Sequence, residues 1–285
     1  MKKWEYKADS SVRLDIALQQ QFPNLSRSYI RKLLDNGKIL VNNQRYKAGY
    51  MLKNSDLVLI DFEESDGRID DINIPIIYED HDCLVINKPV GVLSHSKGSY
   101  NPEATVATYI ANKIDGLEGE RAGIVHRLDR ATSGVMICAK NQESQKWLQK
   151  QFAQRKVKKT YVAVIKTGLK PEKARIDMPI ERDPRSPKQF RVGVNGKEAQ
   201  TNYEVTESND LHSTIILKPE TGRTHQLRVH LKQLGYPIVG DILYGGEDYS
   251  RLMLHAKELE LTLPNKHRQV FKAPLPSEFK DIMDL

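Results

Sequence analysis

Gly123-Ile124-Val125-His126-Arg127-Leu128-Asp129-Arg130-Ala131-Thr132-Ser133-Gly134 is the stretch on which the reading of this chain turns. It is a polar loop between two apolar runs. The run that follows, Val135-Met136-Ile137-Cys138-Ala139, is compatible with a strand over 133–140, and Thr132-Ser133-Gly134 reads as a turn that fixes the loop. Asp129 stands between Arg127 and Arg130. Nearby cations favour the carboxylate form, and an ionised, partly desolvated carboxylate is a usable nucleophile or base. On these residues alone, an Asp between arginines reads more simply as a structural ion pair.

Outward from this loop, strands predominate. Leu84-Val85-Ile86-Asn87-Lys88 reads as a buried strand stopped by Pro89, and Tyr161-Val162-Ala163-Val164-Ile165 as another. Residues 201–205 and 214–217 are expected to pair, and 252–263 to be extended. Helices are expected over 105–114, 142–154, 224–234 and 276–285. Trp147, Leu148 and Phe152 recur at helical spacing and are expected in the core. The pattern predicts an antiparallel or mixed sheet with helices packed around it.

The front of the chain reads as a compact α/β unit. A first helix is expected from Val12 to near Phe22-Pro23. A second, over 27–36, would be N-capped by Ser26 and ended by Gly37 in a left-handed C′ conformation. Tyr29, Ile30, Leu33 and Leu34 form its apolar stripe, leaving Arg27, Arg31 and Lys32 largely on the other face. Strands over 38–42 and 57–60 follow, with a turn at Asn42-Asn43. Residues 61–71 are acidic and aperiodic, with one Arg68, and read as a linker. The expected organisation is a front domain over 1–62, an acidic linker at 63–74 and a larger domain over 75–285.

The 285 residues are 39% hydrophobic and 28% charged, ordinary for a soluble globular protein. No stretch approaches the ~20 apolar residues needed to span a bilayer. No apolar run stands behind Lys2-Lys3, so no signal peptide is expected, and the cytoplasm is the expected compartment. Cys83 and Cys138 each sit in an apolar run and read as buried thiols. No Cys-x-x-Cys occurs, and the eight histidines show no zinc-ligand spacing, so no metal site is expected. The net charge of +7 suits a polyanionic partner. A basic cluster at Arg155-Lys156-Val157-Lys158-Lys159 reads either as a phosphate grip or as a solvated loop.

Two resemblances sharpen this. Ser26-Arg27-Ser28-Tyr29-Ile30-Arg31-Lys32-Leu33-Leu34-Asp35-Asn36-Gly37-Lys38-Ile39-Leu40-Val41-Asn42 resembles the core of the S4 RNA-binding domain. His126-Arg127-Leu128-Asp129-x-x-Thr132-Ser133-Gly134 resembles the signature of the RluA-type pseudouridine synthases. Further segments agree in family order. These are Asn87-Lys88-Pro89-x-Gly91, Lys158-Lys159-Thr160-Tyr161-Val162-Ala163, Gly196-Lys197-Glu198-Ala199-Gln200-Thr201, Thr221-Gly222-Arg223-Thr224-His225-Gln226-Leu227-Arg228-Val229-His230 and Leu254-His255-Ala256.

The resemblance implies an α+β chain, with an S4-like domain ahead of a mixed or antiparallel-sheet catalytic domain. It implies that a uridine in RNA becomes pseudouridine: the N1–C1′ bond breaks, the uracil turns, and C5 bonds to C1′, with no cofactor or metal. Asp129 would be the catalytic carboxylate. Arg228 would pair with it, with Arg223 as the competing arginine. Tyr161 would lie against the target base, and Leu254 would wall the pocket. Arg127 would fill the gap left by the extruded uridine. Arg27, Arg31, Lys32, Lys38, Lys158 and Lys159 would grip RNA, and His126, His225 and His255 would support loops. The domain arrangement points to large-subunit ribosomal RNA, with transfer RNA as the alternative partner; no membrane partner and a monomer are expected. Two other readings stand beside it: a non-catalytic RNA-binding protein, and a carboxylate enzyme acting on a small glycoside.

Overall fold

A computed structural model describes residues 2–7, 11–22, 25, 27–61, 72–95, 103–117 and 121–284. The chain forms two compact units, Met1–Ile72 with His95–Thr108, and Asn73–Ser94 with Tyr109–Leu285. Most of the expected acidic linker and the expected N-cap Ser26 lie outside the described residues.

In the first unit, strands β1 (Lys2–Glu5), β2 (Ile39–Val41) and β3 (Leu57–Ile60) form a sheet in the order β1-β3-β2. Helices α1 (Leu14–Gln21) and α2 (Arg27–Asp35) belong to the same unit. Leu14, Leu18, Ile30, Leu33, Ile39 and Val58 share one core. The Ile30/Leu33/Leu34 stripe turns inward and leaves Arg27, Arg31 and Lys32 exposed. Gly37 takes φ +69°. Gly37 N–H donates to Leu34 O, and Lys38 N–H to Leu33 O, which satisfies the last helical carbonyls. Helix α1 starts two residues later than expected, because Val12–Arg13 pairs as a short strand with Met51–Leu52.

The second unit is built on a nine-stranded sheet among the described residues. Its strands are β4 (Ile76–Glu79), β5 (Cys83–Lys88), β6 (Ser133–Ala139), β7 (Lys158–Lys166), β8 (Lys173–Asp177), β9 (Gln200–Ser208), β10 (His212–Pro219), β11 (Leu254–Thr262) and β12 (Arg268–Lys272). The order is β8-β9-β10-β7-β11-β6-β5-β4, with β12 also on β11. Every ladder is antiparallel except β6 against β11, where Ser133 faces His255 and Gly134 faces Ala256. The expected mixed sheet is therefore found. Strand β6 is buried along its whole length, which explains its apolar run from Val135 to Ala139.

Helices α3 (Gln142–Ala153), α4 (Gln226–Gln233) and α5 (Glu278–Asp281) accompany the sheet. Asn141 caps α3: its side chain accepts from Ser144 N–H, and the Ser144 hydroxyl accepts from Asn141 N–H. The helix expected over 105–114 is Val106–Ile110, continued by a tighter turn at Ala111–Lys113. The basic cluster at 155–159 is not a loop throughout, since Lys158 and Lys159 open strand β7. Among the described residues, no helix is long and apolar enough to cross a membrane.

Candidate active site

The loop that carries Asp129 enters β6, and Leu254 is the first residue of β11. The one parallel ladder thus brings these two segments together at the same end of the sheet. Gly134 makes the approach possible. Its φ is +118°, and a Cβ there would lie 2.2 Å from Ala256 O. Tyr161, on β7, pairs with Ala256 on one side and Leu217 on the other, so its ring is carried to the same place.

The Asp129 loop is pinned from several directions. Thr132 N–H donates to Asp129 O, and Gly91 N–H to Arg130 O. The buried Ser94 hydroxyl donates to Leu128 O and accepts from Leu128 N–H. Lys88 is fully buried, and its ammonium donates to the carbonyls of Pro89 and Val92, both at 2.8 Å, and of Arg130 at 3.4 Å. Burial pushes its pKa down to about 7, while the Asp129 charge pulls the other way.

These elements surround a cavity of about 510 Å³, within the size range of small-molecule sites. Asp129, Tyr161, Arg228 and Leu254 all line it, as does Arg127. Arg127, Arg155, Lys159, Arg223 and Arg228 face Asp129 and Glu220 there, so cations outnumber carboxylates in the lining. A cavity of this sign concentrates polyanions.

The side chains that come within 4 Å of the Asp129 carboxylate are the Arg228 guanidinium of α4 and the His225 imidazole just before it. Asp129 Oδ2 lies 3.9 Å from Arg228 Nη1 and 3.9 Å from His225 Nε2. The Asp129 side chain is 21% exposed and that of Arg228 only 8%. Arg130 instead turns its guanidinium to Gly91 O. The tighter partner of Arg228 is Asp241: Nε and Nη2 reach its two carboxylate oxygens, each at 2.7 Å. Burial works against the charge on Arg228, and the Asp241 hydrogen bonds overcome it and raise its pKa. Arg223, the other arginine of the same string, donates to Glu198 O.

The segment 221–226 is braced by one buried amide. Gln226 Oε1 accepts from the Thr221 hydroxyl and Arg223 N–H, while its Nε2 donates to Gln200 O and the Thr201 hydroxyl. That clamp delays the helix to Gln226, two residues after its expected start at Thr224, and holds His225 in the left-handed region at φ +56°. His225 Nδ1 hydrogen-bonds the Tyr244 hydroxyl at 2.8 Å. Burial lowers the His225 pKa, against the pull of Asp129. Burial and the Asp129 charge both raise that of Tyr161, keeping the phenol protonated.

Phe152 departs from its expected place. It lines the cavity instead of filling the core, with the His126 ring stacked on it at 4.5 Å. Lys159 is in the cavity wall, where its ammonium donates to Thr221 O, and burial and Arg155 lower its pKa to about 8. His126 accepts from Ile137 N–H, and His255 hydrogen-bonds Ser133. His230 bridges Thr201 and Met178 O. Among the described residues, no three His, Cys, Asp or Glu side chains gather around a metal position.

The basic residues expected to grip RNA differ in their pairing. Arg27 donates to the buried carboxylate of Asp15 at 2.9 Å, and Arg31 lies 3.8 Å from it. Burial raises the Asp15 pKa, but the Arg27 and Arg13 hydrogen bonds outweigh it and hold the carboxyl below its usual range. Lys38 is paired with Asp61 at 2.8 Å and Lys158 with Glu260 at 3.5 Å. Sequence reading assigned no role to Asp241, Tyr244 or Lys88. For Lys88 a signal existed, since a lysine inside an apolar strand is rarely there without a partner.

Comparison with known proteins identifies the family. The family model described as RNA pseudouridylate synthase matches residues 82–233, and that of the S4 domain matches residues 12–58. The chain is 38% identical to ribosomal large subunit pseudouridine synthase D of Borreliella burgdorferi, over 95% of this chain and 88% of that one. It is 36% identical to the protein of the same name from Yersinia pestis, over 95% and 90%. Among solved structures, human RNA pseudouridylate synthase domain containing 1 superposes with a TM-score of 0.59 at 29% identity, covering 74% of this chain and 86% of that one.

Proposed function

The chain belongs to the RNA pseudouridylate synthase family, with an S4 domain ahead of the synthase domain, and from that premise we propose that it isomerises uridine in large-subunit ribosomal RNA with Asp129 as the reacting carboxylate. The ribosomal substrate is supported by the relatives named for it, which match nearly the whole chain, S4 domain included. We further propose that it works in the cytoplasm as a monomer.

The observation that carries the reading is the position of Asp129. It sits in the wall of a cationic cavity, with Arg228 Nη1 and His225 Nε2 at 3.9 Å. An arginine at this distance lies beside the carboxylate without covering its oxygens. The reaction needs the N1–C1′ bond broken and a C5–C1′ bond made, with the proton on C5 lost and one gained at N1. Tyr161 offers a flat apolar face and a protonated hydroxyl to the base, and Leu254 closes the pocket beside it. Arg127, exposed at the cavity edge, is suited to the space the extruded base leaves. Lys159 and the exposed arginines would meet the phosphodiester backbone.

Pseudouridine mapping of ribosomal and transfer RNA, in cells with and without the gene, tests this. A large-subunit site should vanish on deletion and return with the intact gene but not with Asp129→Asn, whose turnover should fall at least ~10³-fold. Restoration by Asp129→Asn would remove this residue from its role. Loss at a transfer RNA site would reassign the substrate.

A further inference from the structure

We infer that Asp241 is a positioning residue for the reacting pair: it grips the Arg228 guanidinium on one edge so that only Nη1 is presented to Asp129. The inference rests on the proposed role of Asp129.

A guanidinium is a rigid plane with five N–H groups, and a carboxylate that takes two of them fixes the orientation of the rest. Asp241 takes Nε–H and one Nη2–H, each at 2.7 Å. The pair is buried, with the Asp241 side chain 1% exposed. Nη1 is the remaining nitrogen, and it lies 3.9 Å from Asp129 Oδ2. The Tyr244 ring packs against the guanidinium at 4.9 Å, and its hydroxyl holds His225 Nδ1, which leaves His225 Nε2 toward Asp129. Asp241 is itself set in a tight turn. Its N–H donates to Ile238 O, and its carbonyl accepts from Tyr244 and Gly246 N–H. The neighbouring Gly240 has φ +77°, and a Cβ there would lie 1.8 Å from Arg251 O.

The consequence is a spacing. A charge-assisted N–H···O bond closes to roughly 2.7–2.9 Å when nothing prevents it. At 3.9 Å, Arg228 acts on Asp129 by charge and leaves its oxygens open to the substrate. Without Asp241, the guanidinium is free to swing onto Asp129 as a two-pronged pair and cover those oxygens. Asp241 therefore acts through Arg228 and touches no substrate.

The test is steady-state kinetics of the full-length enzyme on transcribed RNA, with Asp241→Asn, Arg228→Ala, the combination of the two, and Asp129→Asn. Asp241→Asn should lower kcat by about tenfold or more with KM for RNA unchanged. In the Arg228→Ala background it should cost nothing further, because the residue it acts through is gone. Wild-type kcat in Asp241→Asn, or a full additive loss in the combination, would overturn the inference. Should Asp241→Asn fail to fold, nuclear magnetic resonance of Asp129→Asn decides. If Asp241 is the holder, the Arg228 Nε–H signal persists in slow exchange; if it collapses, Asp129 was the holder and the inference fails. Turnover by Asp129→Asn would instead refute the reading of the site itself.

Discussion

The Lys88 ammonium, at the buried end of β5, donates to the carbonyl of Arg130, the residue after Asp129. One side chain thus ties the end of a central strand to the reacting loop across 42 residues of sequence. The other two bonds, to Pro89 and Val92 carbonyls, make Lys88 the hub of the turn that follows β5.

This hub has a signature in pH. Burial holds Lys88 near 7 in the folded state, against about 10.5 when exposed. Between these values the unfolded chain binds a proton that the folded chain does not, so folding stability rises with pH across that window. Wild type should gain thermal stability relative to Lys88→Met as pH goes from 7 to 10. Melting curves that run parallel for the two proteins would refute the buried, poorly protonated lysine.

On α2 two neighbouring cations should behave differently. Arg27 pairs with the buried Asp15 carboxylate, so Arg27→Ala should cost about 1–2 kcal/mol of stability. Lys32 is exposed on the opposite side from the apolar stripe. Lys32→Ala should leave the melting temperature within a degree or two and weaken RNA binding, lowering the slope of log affinity against log salt by about 1. Denaturant titrations and salt-dependent binding curves check both, and equal effects from the two variants would contradict the pairing.

Gly134→Ala should be among the most damaging single changes. The new Cβ would meet Ala256 O, N and C at 2.2–2.7 Å, and the φ of +118° already excludes an L side chain. Backbone is all that it meets, so relief requires the β6–β11 ladder to open. A loss of more than about 3 kcal/mol is expected by denaturant titration. A variant with wild-type stability would show that the parallel ladder is looser than described.

The two thiols should be silent in the native protein. Cys83 and Cys138 are fully buried, and burial pushes each up to about 12. A chromogenic disulfide should release no signal from the folded enzyme and two equivalents after denaturation. Rapid reaction of either thiol would mean that strands β5 and β6 open locally.

What the sequence disclosed follows from burial. Strand β6 is buried on both faces, so Val135–Ala139 form an unbroken apolar run that marks it plainly. Strands β8 and β12 were missed because most of their residues are exposed, leaving one buried residue each, Ile176 and Phe271. Lys158 and Lys159 read as a basic cluster because local charge hid the ladder that β7 makes with β10 and β11. The S4-then-synthase order was legible because its motifs are contiguous strings. Asp241 was not: nothing local marks an aspartate whose partner lies across a helix and a turn. For the same reason, Arg127 and Arg130 drew attention as neighbours of Asp129 in sequence, while the side chains that face its carboxylate are His225 and Arg228.

The parallel β6–β11 ladder also sets a schedule for synthesis. Asp129, Tyr161, Arg228 and Leu254 reach one cavity from four segments spread over more than a hundred residues. Long-range pairings of this kind form slowly and late. A chain leaving the ribosome can display the whole S4 segment, residues 12–58, long before residue 254 is made. That segment is thus complete before any chemistry is possible. Competence to react therefore marks a chain whose sheet has closed.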